Sequence, residues 1–516
     1  MPRRPMCSLV VSVSLALLAA GGSPRPARAG EPELQKAPVS LRYALWLARS
    51  MPRGTPGPLA GGKEGSSDRV RGYIPPPLDL SHVSGPVFEQ RLSGQPFPPA
   101  YDLRLEGMVT QVKDQGMHGT CWTFACMGAL ESSMLRAGFG AYDLSEWHLA
   151  YYGYVPFNQS LFTAFTPGPP SYGNDPIFDQ GGSDWMSAAI LTRGTGAVNN
   201  RDCPYQPGSY RDQPRPEGDL PNGKEELSVP LERVYYLFNV DDPINAADVK
   251  YAIAAYGPVA ITMAWEDADY DEALHTYRDP DANLWNLNHE VDIVGWDDNF
   301  PVDRFPAGNR PAVPGAWLVR NSWGQEWGDQ GYFYLSYDSR VYDGTAFVGG
   351  ARYTRRIRQY DPLGWCGSLG YGCPTAFCAN IFHTERAETL TAVAFYTGAV
   401  NSTYAIQLRS GVQGDPGTGV PAGGGFLKGT LQAPGFHIVD LVPPVTMPAG
   451  SNYAVVVKLT TPGYDYPIPV QEPFQGYSEN SRAEHGRSFM SHDGKCWHDL
   501  APTCDGPVVC LKVFTQ

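Results

Sequence analysis

The sequence predicts an α+β protein: a two-lobed body with a helical half, a β-sheet half and a cleft between them, followed by an all-β sandwich. Three observations predict this. Segments with apolar residues at helical spacing concentrate between residues 120 and 257. Short runs rich in Val, Ile and aromatics, bounded by Gly, Pro or Asp, follow as far as residue 337, and from about Ala351 onward the helical signals vanish. The 516 residues leave room for about two to four domains, and 57 Gly with 48 Pro favour turns and β-structure over long helices.

The first element is a targeting signal over residues 1–29. MPRRP supplies positive charge, CSLVVSVSLALLAA an apolar run, and ARA before Gly30 the small residues suited to cleavage. The competing reading, a membrane anchor, needs ~20 apolar residues, and the run falls short. The chain is therefore expected to be exported, to the cell surface, the periplasm or the medium, with no transmembrane span in the mature protein. Residues 30–99 follow, rich in Pro, Gly and Arg, with LRYALWLARSM as a short amphipathic helix. Their place between a signal and a globular body makes them a candidate propeptide; a flexible linker is the alternative.

The body spans 100–350. TCWTFACMGALESSMLRAG predicts a helix that ends at Gly138 and puts Cys121 in its first turn, where backbone N–H groups and the helix dipole favour a thiolate. Further helices are expected at SDWMSAAILTRG and at NAADVKYAIAAYG, the latter closed by Gly257 and Pro258. PVAITMAW, EVDIVGW, AWLVRNSW and GYFYLSY read as strands. The last domain, 351–516, is expected to be a sandwich built from TLTAVAFYTG, TYAIQLRSG, FHIVDLV, NYAVVVKL and VVCLKVF, which alternate apolar and polar residues between turns.

The net charge of −14 argues against a nucleic-acid partner, which calls for a basic stripe. Of ten cysteines, Cys7 leaves with the signal. Nine is an odd number for an exported chain and suggests at least one unpaired thiol. Six of the nine lie from Cys366 onward, enough for up to three disulfides. His437, His485, His492 and His498 are too scattered for a ligand signature, so neither metal nor cofactor is expected.

A thiol nucleophile needs a base or ion-pair partner, a group that orients that partner, and donors for the developing oxyanion. One candidate for each is present: Cys121, His289 in LNHEVDIVGW, Asn321 in WLVRNSWG, and Gln115, six residues before Cys121. Taken singly each has a bland reading, as a buried thiol, a core histidine or a turn asparagine.

Taken in order they resemble papain-like cysteine proteases. QVKDQGMHGTCWTFACMGALES is similar to that family's nucleophile segment, NHEVDIVGW to its His strand and RNSWGQEWGDQGYF to its Asn-Ser-Trp-Gly segment. The resemblance implies a papain-like two-lobed fold and hydrolysis of peptide bonds in protein or peptide substrates. It implies Gln115 as oxyanion donor, Cys121 as nucleophile, His289 as its partner, Asn321 as orienter and Trp323 as a cover for the Asn–His contact. Gly181-Gly182 lies where the family pairs backbone with an extended substrate, although a Gly pair is equally a plain turn. VRGYIPPPLDLSHVSG and the region from about Tyr353 to Gln516 resemble a bacterial and archaeal branch with a lectin-like C-terminal domain, which would make a carbohydrate or cell-surface partner a candidate.

Three departures stand out. His118 replaces a disulfide cysteine frequent in the family, so its loop must be held by packing. Glu290 replaces a small residue and by strand alternation should face away from His289. The 32 residues from His289 to Asn321 enclose a Pro-rich loop that should still let the two motif strands pair. The contrasting hypothesis is a surface-binding protein that carries a vestigial protease body.

Overall fold

The computed structural model describes residues 32–50, 72–83, 86–88, 96–156, 164–165, 177–208, 221, 227–237, 243–279, 286–339, 341–350, 356–501 and 506–516. The expected signal, much of 51–95 and Cys504 lie outside these.

The helical lobe is built on α2 (Cys121–Arg136), whose residues Cys121 to Met134 are all buried. Helix α1 (Leu41–Ser50) belongs to the N-terminal segment; α3 (Glu146–Tyr154) and α4 (Asp184–Thr192) pack beside α2, and α5 (Pro243–Ala255) lies against the sheet. The predicted helices all form. Helix α3 was not predicted, because EWHLAYYGY carries Gly and aromatics in place of strong helix formers. Its start is fixed by Ser145, whose Oγ accepts from the His148 N–H at 3.0 Å.

The sheet lobe comprises β1 (Leu231–Leu237), β2 (Val259–Met263), β3 (His289–Asp297), β4 (Ala316–Arg320), β5 (Tyr332–Ser336) and β6 (Val341–Gly349). Their spatial order is β1-β6-β2-β3-β4-β5. Strands β3 and β4 pair antiparallel from Asp292 opposite Arg320 to Asp297 opposite Ala316, so the Pro-rich loop closes a hairpin as expected.

The C-terminal part contributes β7 (Thr375–Thr384), β8 (Glu388–Thr397), β9 (Ser402–Ser410), β10 (Val420–Leu431), β11 (Gly435–Met447), β12 (Ser451–Thr460), β13 (Ser488–Ser491) and β14 (Leu511–Thr515). One sheet runs β10-β9-β12-β7-β13. The other, with β14, β8 and β11, does not stop at the domain edge. Residues Gly435, Phe436 and His437 of β11 pair with Tyr235, Val234 and Arg233 of β1, so one sheet runs from the sandwich into the protease-like body. The region read from sequence as a separate module is thus joined to the body by backbone hydrogen bonds. The unpredicted β10, VPAGGGFLKGTL, is Gly-rich and its side chains are mostly exposed, so it carried no strand pattern. Cys366, Cys373, Cys378 and Cys510 are unbridged thiols, which leaves room for one disulfide among the six C-terminal cysteines, not three.

His437 sits at the seam, and its Nε2–H donates to the Ala433 carbonyl at 3.0 Å. Burial, aided by the Arg233 charge and opposed by that carbonyl, pushes its pKa down to about 4. The unfolded chain titrates near ~6.5 at this residue and so takes up the extra proton between those values. Stability conferred by the neutral ring is present above pH ~6.5 and is lost as pH falls through about 4, by roughly 3 kcal/mol in all. Urea unfolding of wild type and His437→Gln at pH 7 and pH 4 checks this; the variant should lose less stability on acidification.

The N-terminal segment is docked along its described length. Gln35 and Lys36 pair with Gly370 and Leu369, and Tyr43 of α1 meets Phe474 and Tyr477 edge-on with ring centroids 5.9 and 6.4 Å apart. A flexible linker does not account for these contacts.

Candidate active site

Cys121 is the first residue of α2 and is fully buried. Thr120, which precedes it, gives no side-chain cap, although its carbonyl accepts from the Thr123 N–H at 2.9 Å, so the N–H groups of Cys121 and Trp122 are the ones that face the helix start. The thiol donates to the Gly72 carbonyl at 3.4 Å, and the backbone N–H groups of Trp122 and Glu290 approach the sulfur. Helix α2 and strand β3 therefore meet at Cys121.

On β3, His289 is buried with Nε2 2.9 Å from Asn321 Oδ1, just beyond the end of β4. The hairpin register makes this contact. Asn321 Oδ1 also accepts from the Ser322 N–H at 2.8 Å, which fixes the carboxamide with its oxygen toward the ring. Trp323 stacks on His289 with centroids 4.9 Å apart and planes 20° apart, and Trp265 closes on Trp323 edge-on at 4.8 Å. The contact lies in an aromatic box that excludes water.

Gln115 is buried at 0% exposure. Its Oε1 accepts from Ser322 Oγ at 2.7 Å, and its Nε2 donates to the His118 carbonyl at 2.8 Å. A carboxamide has two N–H donors, so one is used to orient the group. Ser322 was missed at the sequence level, although it stands inside the Asn-Ser-Trp-Gly segment. The His118 loop is held by a 3.3 Å contact to Asp179 and by ring contacts with Trp147 and Phe178, in keeping with the expected packing.

Gly181 and Gly182 line the opposite wall. Gly181 takes φ +88°, and a Cβ on Gly182 would come within 2.4 Å of the Trp122 ring, so only glycine fits beside this helix start. Gly182 O accepts from the Ile74 N–H at 2.8 Å, while Gly72 lies against Gly181 and presents its carbonyl to Cys121. A Cβ on Gly72 would meet Gly119 O at 2.6 Å. The pair contacts a segment of the chain itself, residues 72–74.

Burial, and secondly the Glu290 charge, push the Cys121 thiol up to about 12, so the sulfur is neutral here and not the thiolate expected from its helix position. Glu290 takes a different partner from His289: its Oε1 accepts from the Asp184 N–H at 3.3 Å. It faces the helical lobe.

Residues 97–152 and 175–346 match the family model described as papain family cysteine protease, and residues 357–515 match that of a lectin-like domain. Cathepsin L2 of Homo sapiens is 29% identical over 266 residues, covering 51% of this chain and 67% of its own length. A cathepsin L-like peptidase of Aedes aegypti is 29% identical over 243 residues, which cover 46% of this chain; the chain spans only 58% of that relative's length. Among solved structures, the cysteine protease and lectin-like domains of Cwp84, a surface layer associated protein of Clostridium difficile, superpose with a TM-score of 0.72 at 23% identity. That match covers 94% of this chain and 98% of the other. Clostridial Cwp84 after propeptide cleavage matches with a TM-score of 0.65 at 25% identity, over 81% of this chain and 99% of the other.

Proposed function

Because residues 97–152 and 175–346 belong to the papain family of cysteine proteases and residues 357–515 to the lectin-like domains, we propose that this chain is an exported cysteine endopeptidase held as a zymogen by its 30–99 segment. The observation that carries the reading is the meeting of Cys121, at a helix N-terminus, with the strand whose His289 is hydrogen-bonded to Asn321 at 2.9 Å. Export rests on the apolar N-terminal run. The name of the C-terminal domain makes binding at a surface part of the proposal, with no sugar specified.

In the resting chain the thiol is buried and neutral, with the Gly72 carbonyl against it. Once residues 72–74 leave, water and the His289 imidazole reach the sulfur, and the thiolate–imidazolium pair forms at the positive end of α2. The sulfur then attacks the scissile carbonyl. The oxyanion is taken up by the second N–H of Gln115 and the Cys121 N–H, and His289 gives its proton to the leaving amine as the C–N bond breaks. The product is a thioester. Neutral His289 next takes a proton from water, whose oxygen attacks the thioester, and collapse returns the Cys121 thiolate. Asn321 keeps the ring in the orientation both proton transfers need.

The test is intact mass with N-terminal sequencing over time, on the full chain and on Cys121→Ser, at mildly acidic pH with a reductant. Wild type should shed a segment ending near residue 100 and Cys121→Ser should keep it. If neither changes, and wild type nicked by an added protease neither hydrolyses peptides nor is alkylated at Cys121, the peptidase reading is wrong and a binding protein with a vestigial protease body replaces it.

A further inference from the structure

Beside Cys121 the structure buries three carboxylates that the proposed chemistry does not use. Asp184 at the start of α4, Glu290 of β3 and Asp343 of β6 are each 5% exposed or less. The Asp184 N–H donates to Glu290, Asp184 Oδ2 accepts from Thr345 Oγ1, and Asp184 Oδ1 and Glu290 Oε2 have no hydrogen-bond partner among the described residues. Unpaired buried oxygens on adjacent carboxyl groups cost several kcal/mol unless a cation or a proton compensates them. Burial and the neighbouring Asp343 charge hold Asp184 up to about 8, and burial with Asp184 raises Glu290 well above its ordinary range. The cluster is short of positive charge.

The cation it does receive comes from the covering segment. Arg42 of α1 forms a two-pronged pair with Asp343, Nη1 to Oδ2 at 2.8 Å and Nη2 to Oδ1 at 2.7 Å, and its guanidinium lies over the Tyr342 ring. Tyr73 adds a hydroxyl hydrogen bond to Asp343 Oδ2 at 2.6 Å. Tyr73 stands between Gly72, whose carbonyl faces Cys121, and Ile74, whose N–H pairs with Gly182. A side chain one residue along the cleft from Cys121 therefore reaches this cluster. Asp343 is aimed there by a left-handed backbone, φ 52°, at the break in pairing between β6 and β2. When residues 32–74 leave, Arg42 and Tyr73 leave together, and three carboxylates line an emptied pocket.

We propose that the Asp184–Glu290–Asp343 pocket selects a basic side chain, guanidinium before ammonium, at the substrate residue immediately preceding the acylated one, and that Arg42 fills it in the resting chain. This rests on the peptidase reading of the same cleft. A guanidinium satisfies two carboxylate oxygens at once in the fork geometry Arg42 already uses, whereas an ammonium acts as a point charge.

The test uses the full chain after its own processing, with peptidyl-coumarylamides that hold Gly at the acylated position and carry Arg, Lys, norleucine or Leu before it. Arg should exceed norleucine in kcat/KM by ~10- to 100-fold, with Lys between them. Moving the Arg one position along should remove the gain. In Asp343→Asn the advantage of Arg over norleucine should fall below about threefold. If that variant does not fold, the wild-type ranking decides. Equal or better hydrolysis of norleucine or Leu by wild type, or an active Asp343→Asn that keeps the Arg preference, overturns the pocket and leaves the peptidase standing. No hydrolysis of any peptide, with Cys121 resistant to alkylation, removes both.

Discussion

Cys121→Ala and His289→Ala are each expected to lower kcat/KM of the processed chain by about 10⁴- to 10⁶-fold, and the double variant should be no worse than the poorer single one. In the proposed reaction the two groups act as one unit: the sulfur attacks only as thiolate, and the imidazolium both stabilises that thiolate and protonates the leaving amine. Loss of either ends the same pathway, so the effects do not add. Cys121 is a small, fully buried side chain, and trimming it to Ala costs on the order of 1 kcal/mol, so the alanine variant should still fold. Thermal unfolding by circular dichroism checks this beside the kinetics. Iodoacetamide alkylation separates the roles. In His289→Ala the thiol titrates near ~8.5, so alkylation at pH 6 should slow by about 10²-fold and recover as pH rises toward 9.

Gln115→Ala is the second large effect, about 10²- to 10³-fold in kcat with KM little changed, which corresponds to ~2.7–4 kcal/mol of transition-state stabilisation. The side chain is rigid before any substrate arrives. Ser322 Oγ fixes its oxygen at 2.7 Å and the His118 carbonyl fixes one N–H at 2.8 Å, so the second N–H points in a direction set by the fold. A donor held in this way is worth most where charge develops and little to a ground-state carbonyl. Steady-state kinetics on one fluorogenic peptide, with the concentration of active sites titrated, separates kcat from KM. An equal rise in KM with kcat unchanged would remove Gln115 from the oxyanion site.

How much of this was legible in the sequence follows from how local each signal is. Cys121 could be put at a helix start because the apolar spacing from Trp122 to Leu135 and the stop at Gly138 are written in consecutive residues. His289 and Asn321 could be put on neighbouring strands because β3 and β4 are short apolar runs joined by a hairpin. The Arg42–Asp343 pair has no such local signal. Its members lie 301 residues apart, and Asp343 sits in a strand broken by a left-handed residue and a glycine, so VYDGTAFVG does not alternate like a strand. The neutral state of Cys121 was equally hidden: helix position predicts a thiolate, and the burial of the sulfur, which depends on distant segments, reverses that. Glu290 was read correctly as pointing away from the ring, yet alternation says nothing of the two carboxylates that meet it there.

The shared ladder between β1 and β11 has a consequence for when this molecule can finish folding during its synthesis. Strand β1 is paired by β6 on one edge, and its other edge stays open until residues 435–437 have left the ribosome. At roughly 5–20 residues per second, a nascent chain with the whole body to residue 350 already translated still waits about 4–17 s for that partner. Until then an apolar strand edge is exposed, a state suited to capture by a holding chaperone or a translocation machine and poorly suited to a finished enzyme. The sheet thus couples closure of the body to synthesis of residues 435–437, so a chain truncated before them lacks the second partner of β1.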